Sequence, residues 1–439
     1  MESVFGQLKH IDSILPAVAL DHSHLDIIGS PGFASAFDVD LAAMTSAAAV
    51  ASAFGDTTVD AKRVAATFIG RVLLDGEVVP GWAPLSGYYD TQGDRTIQLH
   101  CNFEHHADGV VALLGCEPTR ASVQEAILKW DPLAFESALI DSGLIGAYLR
   151  TMEEWDNHPH AHATSTLPLL EVTKVGEAAP RTHDGPARVL DCTRVLAGPV
   201  ASQTFANHGA DVLRVGAEHL PHVPMCVQVS GSGKRNAYLD LRDRHDAASF
   251  RDLLNAADVW IDSYRSGALA GHGFGVDAAA PGSIVVQINA FDWVGPWGSR
   301  RGFDSIIQST TGIVEAGRVA AGANTPTPLP VQALDYATGM LAAYAAERMR
   351  QHQREVGGTW LVRLSLLRTR NWLVGLGGPE AFTPTKPDVP SGAVAEMPSE
   401  FGTLTLPLPP IRSDRLGSSA TGFESSQLGQ LGTAPNCPS

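Results

Sequence analysis

No stretch of this chain approaches the roughly 20 consecutive apolar residues that a membrane span requires, so no membrane partner is expected. Cysteine is sparse. The five residues Cys101, Cys116, Cys192, Cys226 and Cys437 in a chain of 439 form neither CxxC pairs nor a regular framework. That usage reads as reduced, intracellular thiols. Positive charge is in deficit: 31 Lys plus Arg stand against 47 Asp plus Glu, a formal net charge of -16. So acidic a surface repels phosphate backbones, and nucleic acid is excluded as an expected partner. An anionic ligand would need cations gathered in one place. The amino-terminal MESVFGQLKHIDSILP has no basic segment leading into an apolar core, and the closing NCPS is no peroxisomal address. A cytoplasmic protein is expected.

What is present is globular: 44% hydrophobic and 18% charged residues, in a chain long enough for two cores. Residues 1–80 are Ala-rich and helix-prone, as in DLAAMTSAAAVASAFG, with small residues suited to close helix packing. Residues 81–175 read as a small α+β domain. A hairpin is expected in GYYDTQGDRTIQLHCN, turning at Gly93-Asp94, with helical segments after it. After a polar stretch near Gly176–Pro186 the pattern changes. Short β-type runs such as RVLDC, DVLRVG, NAYLDL, DVWID and SIVVQIN alternate with helices over residues 186–376. This alternation predicts an α/β fold with a doubly wound, mainly parallel sheet, and a ligand beyond the carboxyl ends of its strands. Residues 377–439 are rich in Pro, Ser and Gly and read as coil or disorder, with TLTLPLPP as one extended segment.

Several chemistries are disfavoured by what the loops contain. The first βα turn of the sheet, Arg194-Val195-Leu196-Ala197-Gly198-Pro199, is not GxGxxG, which argues against a nicotinamide or flavin cofactor. Gly231-Ser232-Gly233-Lys234 resembles the end of a phosphate loop. However, Gln228 stands where the upstream glycine belongs, and Arg235 follows the lysine in place of Ser or Thr. No GxSxG elbow surrounds Ser230 or Ser232, so a serine hydrolase is disfavoured. His158, His160 and His162 alternate in HPHAHA, a stretch that reads as loop, and His105-His106 lie upstream. With no Cys or HExxH-type pairing beside them, no metal site is expected.

Two signals carry more. Lys234 and Arg235 put adjacent cations just ahead of a strand, where they form a solvated basic turn or a pair of contacts to an anionic cofactor. Asp335, in PLPVQALDYATGM, opens an amphipathic helix. It reads as a plain N-cap or as a carboxylate poised to attack a thioester carbonyl, and the spacing leaves both open.

The segments RVLDCTRVLAGPVASQTFANHGADVLRV, GKRNAYLDLRD, ADVWIDSYRSGALAGHGFG, RRGFDSIIQSTTGI and PLPVQALDYATGM occur in one order between Arg188 and about Arg370. In that order they resemble the class III CoA-transferase family (the CaiB/BaiF group), which contains formyl-CoA transferase, carnitine CoA-transferase and α-methylacyl-CoA racemase. The resemblance implies a Rossmann-like CoA-binding domain over 186–376 and CoA transfer between an acyl-CoA and a carboxylic acid. Asp335 would be the nucleophile, passing through anhydride and thioester intermediates. It further implies CoA contacts from Val195, Leu196, Ala197, Gly198 and Pro199 and from Lys234 and Arg235, and a homodimer. Three departures stand out. Phe303 replaces the histidine that the racemase branch places before the aspartate of RRGFDS. Gly271 and His272 stand at positions that help hold CoA. Finally, residues 81–165 resemble the family's small domain yet precede the sheet domain, where the usual order is the reverse. An acyl-CoA isomerase or racemase, or a non-catalytic CoA-binding scaffold, is the alternative.

Overall fold

The computed structural model describes residues 2–182, 185–399 and 401–412. Its largest sheet has seven strands. In spatial order they are Lys234–Tyr238, Asp211–Gly216, Arg188–Cys192, Val259–Asp262, Ile284–Asn289, Thr359–Ser365 and Glu171–Gly176. All neighbours are parallel except the last, which runs antiparallel to Thr359–Ser365. The α/β, mainly parallel class expected from the sequence is therefore observed. Ile284–Asn289 reads as a nearly continuous apolar run because both of its faces are buried, Ile284, Val286 and Ile288 in one core and Val285 in another. The strand order turns back at Arg188–Cys192, whose two neighbours are Asp211–Gly216 and Val259–Asp262, and such a reversal opens a crevice beyond the carboxyl ends.

One face of the sheet is closed by a layer of small-residue helices. The 24-residue helix Ala333–Val356 packs against both Val39–Phe54 and Ala197–Asn207. Alanines at positions 42, 43, 47, 48, 49 and 51 are fully buried, so the backbones approach closely. Val4, Leu8 and Ile11 of the first helix join the same core. The amino-terminal residues thus belong to the sheet domain's own core, because an Ala-rich face is stable only against another smooth surface.

The small domain has a separate core under the hairpin Gly87–Thr91/Arg95–Leu99, to which Gly146–Tyr148 adds a third strand. Gly93 and Asp94 make the expected turn, both with positive φ. Two local expectations are corrected. HPHAHA is no loop: Pro159–Thr164 forms a short helix, with Pro159 in its first turn and His158 capping the His160 amide. Nor is all of 377–412 coil, since Val394–Ser399 pairs with Gly402–Pro407, and Leu404 and Thr405 pair on to Leu74 and Leu73. Pairing with an earlier segment is invisible to local composition. The rest of the expected tail, 413–439, lies outside the described residues. Among the described residues no helix is long and apolar enough to cross a membrane.

Candidate active site

A cavity of about 540 Å³ lies at the reversal of the strand order. Its sheet-side wall includes Arg194–Gly198, Ser263–Ser266 and Arg300–Phe303. The opposite wall comes from the small domain through Phe103, His105 and His106, and Asp335 also lines it. Both walls belong to one chain.

The loop after Arg188–Cys192 reaches the cavity in an unusual backbone state. Val195 has φ 73, rare for a β-branched residue, and such conformations concentrate at functional sites. Gly198 follows because nothing larger fits: a Cβ there would lie 2.4 Å from the Thr193 Cβ and 2.9 Å from the Ser263 Oγ. Gly339 plays the same part from the other side, since its Cβ would meet the Ala197 carbonyl at 2.4 Å. Gly339 lets the helices Ala197–Asn207 and Ala333–Val356 touch near their amino ends, and Gly198 lets the first of them sit close over Thr193 and Ser263.

Asp335 sits at that contact, 6% exposed. It is not the N-cap; Gln332 holds that position without a side-chain bond, and Asp335 lies in the first turn. Its carboxylate instead accepts the amide of Ala197, from the first turn of the neighbouring helix. Two helix amino termini therefore face one carboxylate. Burial, and next the charge of Asp304, nevertheless push Asp335 well above the usual carboxylate range. Asp304, fully buried, is itself pushed up to about 6, chiefly by burial. It accepts the Asp335 amide at 2.9 Å and the Gln308 side-chain amide at 2.6 Å.

Of the loop residues expected to meet a cofactor, Val195, Leu196, Ala197 and Gly198 line the cavity, while Pro199 does not. His272 lines it and Gly271 does not. Lys234 and Arg235, expected from the resemblance to contact CoA, do not line this cavity. The Lys234 ammonium is 1% exposed and donates to the Asp191 carboxylate (3.1 Å), the Pro199 carbonyl (2.8 Å) and the Ser202 hydroxyl (2.7 Å). Its three protons are all spent. It pins the start of the helix Ala197–Asn207 from inside the protein. Arg235 makes a two-pronged pair with Asp211 on the outer surface, at 2.7 and 2.8 Å.

The cavity's cations are different residues. Arg242 and Arg300 line it already paired with Asp240 and Glu136; Arg194, Arg265 and Arg301 line it as well, and Arg214 stands close enough to Arg194 to repel it. None of the last four has a carboxylate partner among the described residues. Arg194 and Arg301 are held below the usual arginine range, first by burial and then by neighbouring arginines. Arg194 lies over the rings of Tyr264 and Phe103, and Arg301 donates to the Gly143 carbonyl. In an acidic protein, unpaired cations of this kind form the concentrated positive spot an anionic ligand needs. The signal was present in RRGFDS and just before Val195.

Phe303 stacks on His100 with ring centroids 4.0 Å apart, and burial pushes His100 down to about 4 and His106 to about 3. His160 faces the Phe291 carbonyl at 2.7 Å, and His158 stacks on Trp155 and lies tilted against Trp297. No group of three or more metal-ligating side chains occurs among the described residues.

Residues 186–395 match the family model of CoA-transferase family III. The chain is 31% identical over 227 residues to an acetyl-coenzyme A transferase of Hypoxylon pulicicidum, covering 50% of this chain and 36% of that protein. It is 27% identical over 203 residues to succinyl-CoA:glutarate CoA-transferase of Mus musculus, covering 43% of each. Among solved structures it is similar to a hypothetical protein from Mycobacterium tuberculosis, at 28% identity and a TM-score of 0.38, over 45% of this chain and 57% of that one. The chain thus spans less than half the length of either curated relative.

Proposed function

From a chain whose residues 186–395 carry the CoA-transferase family III match, we propose a protein that moves CoA from an acyl-CoA to a carboxylic acid, with Asp335 as the carrier. The observation that carries this reading is a buried, unneutralised carboxylate lining the same cavity as arginines free of carboxylate partners. An Asp335 oxygen attacks the thioester carbonyl, the carbon–sulfur bond breaks, and CoA leaves as thiolate, giving a mixed anhydride. The thiolate then attacks the aspartyl carbonyl and releases the first acid, leaving an aspartyl-CoA thioester. The acceptor carboxylate displaces CoA from that thioester to form a second anhydride. Thiolate attack on the acceptor's carbonyl frees the new acyl-CoA and restores Asp335. Burial favours this course twice: it makes the carboxylate more basic, and it keeps water from the anhydride. No metal, nicotinamide or flavin takes part in it. The test is a screen of CoA esters against carboxylic acids, following both the new thioester and the mass of the Asp335 peptide. A chain that neither forms a new thioester nor gains acyl or CoA mass would sink the reading and leave a CoA-binding scaffold.

The arginines carry the second expectation. Arg194→Ala with Arg301→Ala should weaken CoA binding by about 1.5–3 kcal/mol for the more buried Arg194, and by less for Arg301, which is more open to screening. The loss should shrink as salt rises. Calorimetric titration at low and high salt reads both, and equal affinities at low salt would place the phosphates elsewhere.

The racemase alternative is disfavoured at Phe303. A 1,1-proton transfer needs two bases, and the ring at this position has none to offer. In deuterated water, a 2-methylacyl-CoA should keep its α-proton over many turnovers' worth of time. Rapid exchange followed by mass would bring the isomerase reading forward.

A further inference from the structure

Asp304 is fully buried, does not line the cavity, and has no role in the steps above. We propose that it is a positioning residue for the group transfer: its hydrogen bond and its negative charge together hold the Asp335 carboxylate in place and keep it reactive. This rests on reading Asp335 as the carrier.

The bracing is direct. One Asp304 oxygen accepts the Asp335 amide at 2.9 Å, and the other accepts the Gln308 side-chain amide at 2.6 Å. The Gln308 carbonyl oxygen in turn accepts the amide of Leu329 at 2.8 Å. Asp304 and Gln308, one turn apart on Asp304–Thr310, thus grip both the approach to Asp335 and Asp335 itself.

Bracing alone does not explain a carboxylate. A neutral asparagine or serine could accept the same amide without the cost of burying charge. No lysine or arginine pairs with either aspartate among the described residues. What faces the pair is the Ala197 amide, the Cys226 thiol and Tyr336, the last two both more weakly acidic than usual in this setting. Nothing offsets the repulsion between the two carboxylates except backbone and amide donors. Once ionised, a more basic carboxylate attacks a thioester carbonyl more readily, so above the Asp335 titration the charge on Asp304 has a use that its hydrogen bond lacks.

The sign can be read without substrate. A water-soluble carbodiimide with an amine modifies carboxyls only in their protonated form, so labelling of Asp335 fades as pH rises through its titration. Asp304→Asn keeps an oxygen for the Asp335 amide and removes the charge. Labelling of Asp335, followed by peptide mass, should then fade at a pH lower by about one unit or more. Gln308→Leu is the second variant. Without the Gln308 donor Asp304 holds its proton to higher pH and opposes Asp335 less, so the shift should have the same sign and a smaller size. A role in bracing alone would change the amount of folded protein but not this pH. If the folded variants label with the wild-type profile, the inference is overturned. Failure of wild-type protein to transfer CoA in the screen would instead overturn the function while leaving this result standing.

Discussion

Asp335→Asn is expected to abolish the proposed CoA transfer and covalent capture, and to make the folded protein more stable. The first half follows from chemistry: an amide oxygen cannot carry an acyl group through an anhydride, so turnover should fall by several orders of magnitude. CoA binding should survive, because the arginines that face the cavity come from other loops. The second half follows from linkage. Asp335 ionises less readily folded than unfolded, because burial and then Asp304 oppose its charge. A carboxylate raised in this way costs stability from the unfolded value, about 3.9, upward, and the cost grows until the pH passes the folded value. Asparagine carries no such cost. Urea unfolding at pH 8 should therefore show the variant above wild type, with the gap closing below about pH 4. A merely structural carboxylate would give the opposite sign. Retained turnover in Asp335→Asn would end the proposed mechanism.

The largest expected loss of stability is at Lys234. Lys234→Ala leaves the Asp191 carboxylate fully buried with only hydroxyl donors, Thr193 and Ser202, to offset it. Removing one partner of a buried pair typically costs about 3–5 kcal/mol. Replacing both partners at once, in Lys234→Met with Asp191→Leu, should recover much of that loss. Arg235→Ala, whose pair with Asp211 is largely exposed, should change stability by about 0–1 kcal/mol and leave CoA affinity unaltered. Denaturant midpoints at constant slope measure all three. A Lys234→Ala protein as stable as wild type but weaker for CoA would return this lysine to the cofactor site.

The contrast between Lys234 and the cavity arginines marks where reading the chain stops. Lys234-Arg235 and Arg300-Arg301 look alike in one dimension, each an adjacent cationic pair in an acidic protein. Lys234 proves to be the first residue of a strand, and successive side chains in a strand point to opposite faces. One therefore turns inward to Asp191 and the other outward to Asp211, and they cannot share a ligand. Arg300 and Arg301 both line the cavity, but Arg300 is bound to Glu136 and the Gly146 carbonyl while Arg301 has no carboxylate partner among the described residues. Placing the strand start at Lys234 rather than at Asn236 is what separates the two side chains.

By itself the sequence determined the alternation of strands and helices, hence the parallel sheet and the end of it where the cavity opens. It also singled out Asp335, because helix starts and buried-strand runs are written in neighbouring residues. Only the tertiary structure decided what surrounds that carboxylate. Asp304 is 31 positions away in the chain, Ala197 lies in another helix, and Phe103 and His106, more than two hundred residues earlier, line the same cavity. Charge, burial and the protonation they set depend on distances in space, and a linear order of residues does not contain those distances until the chain has packed.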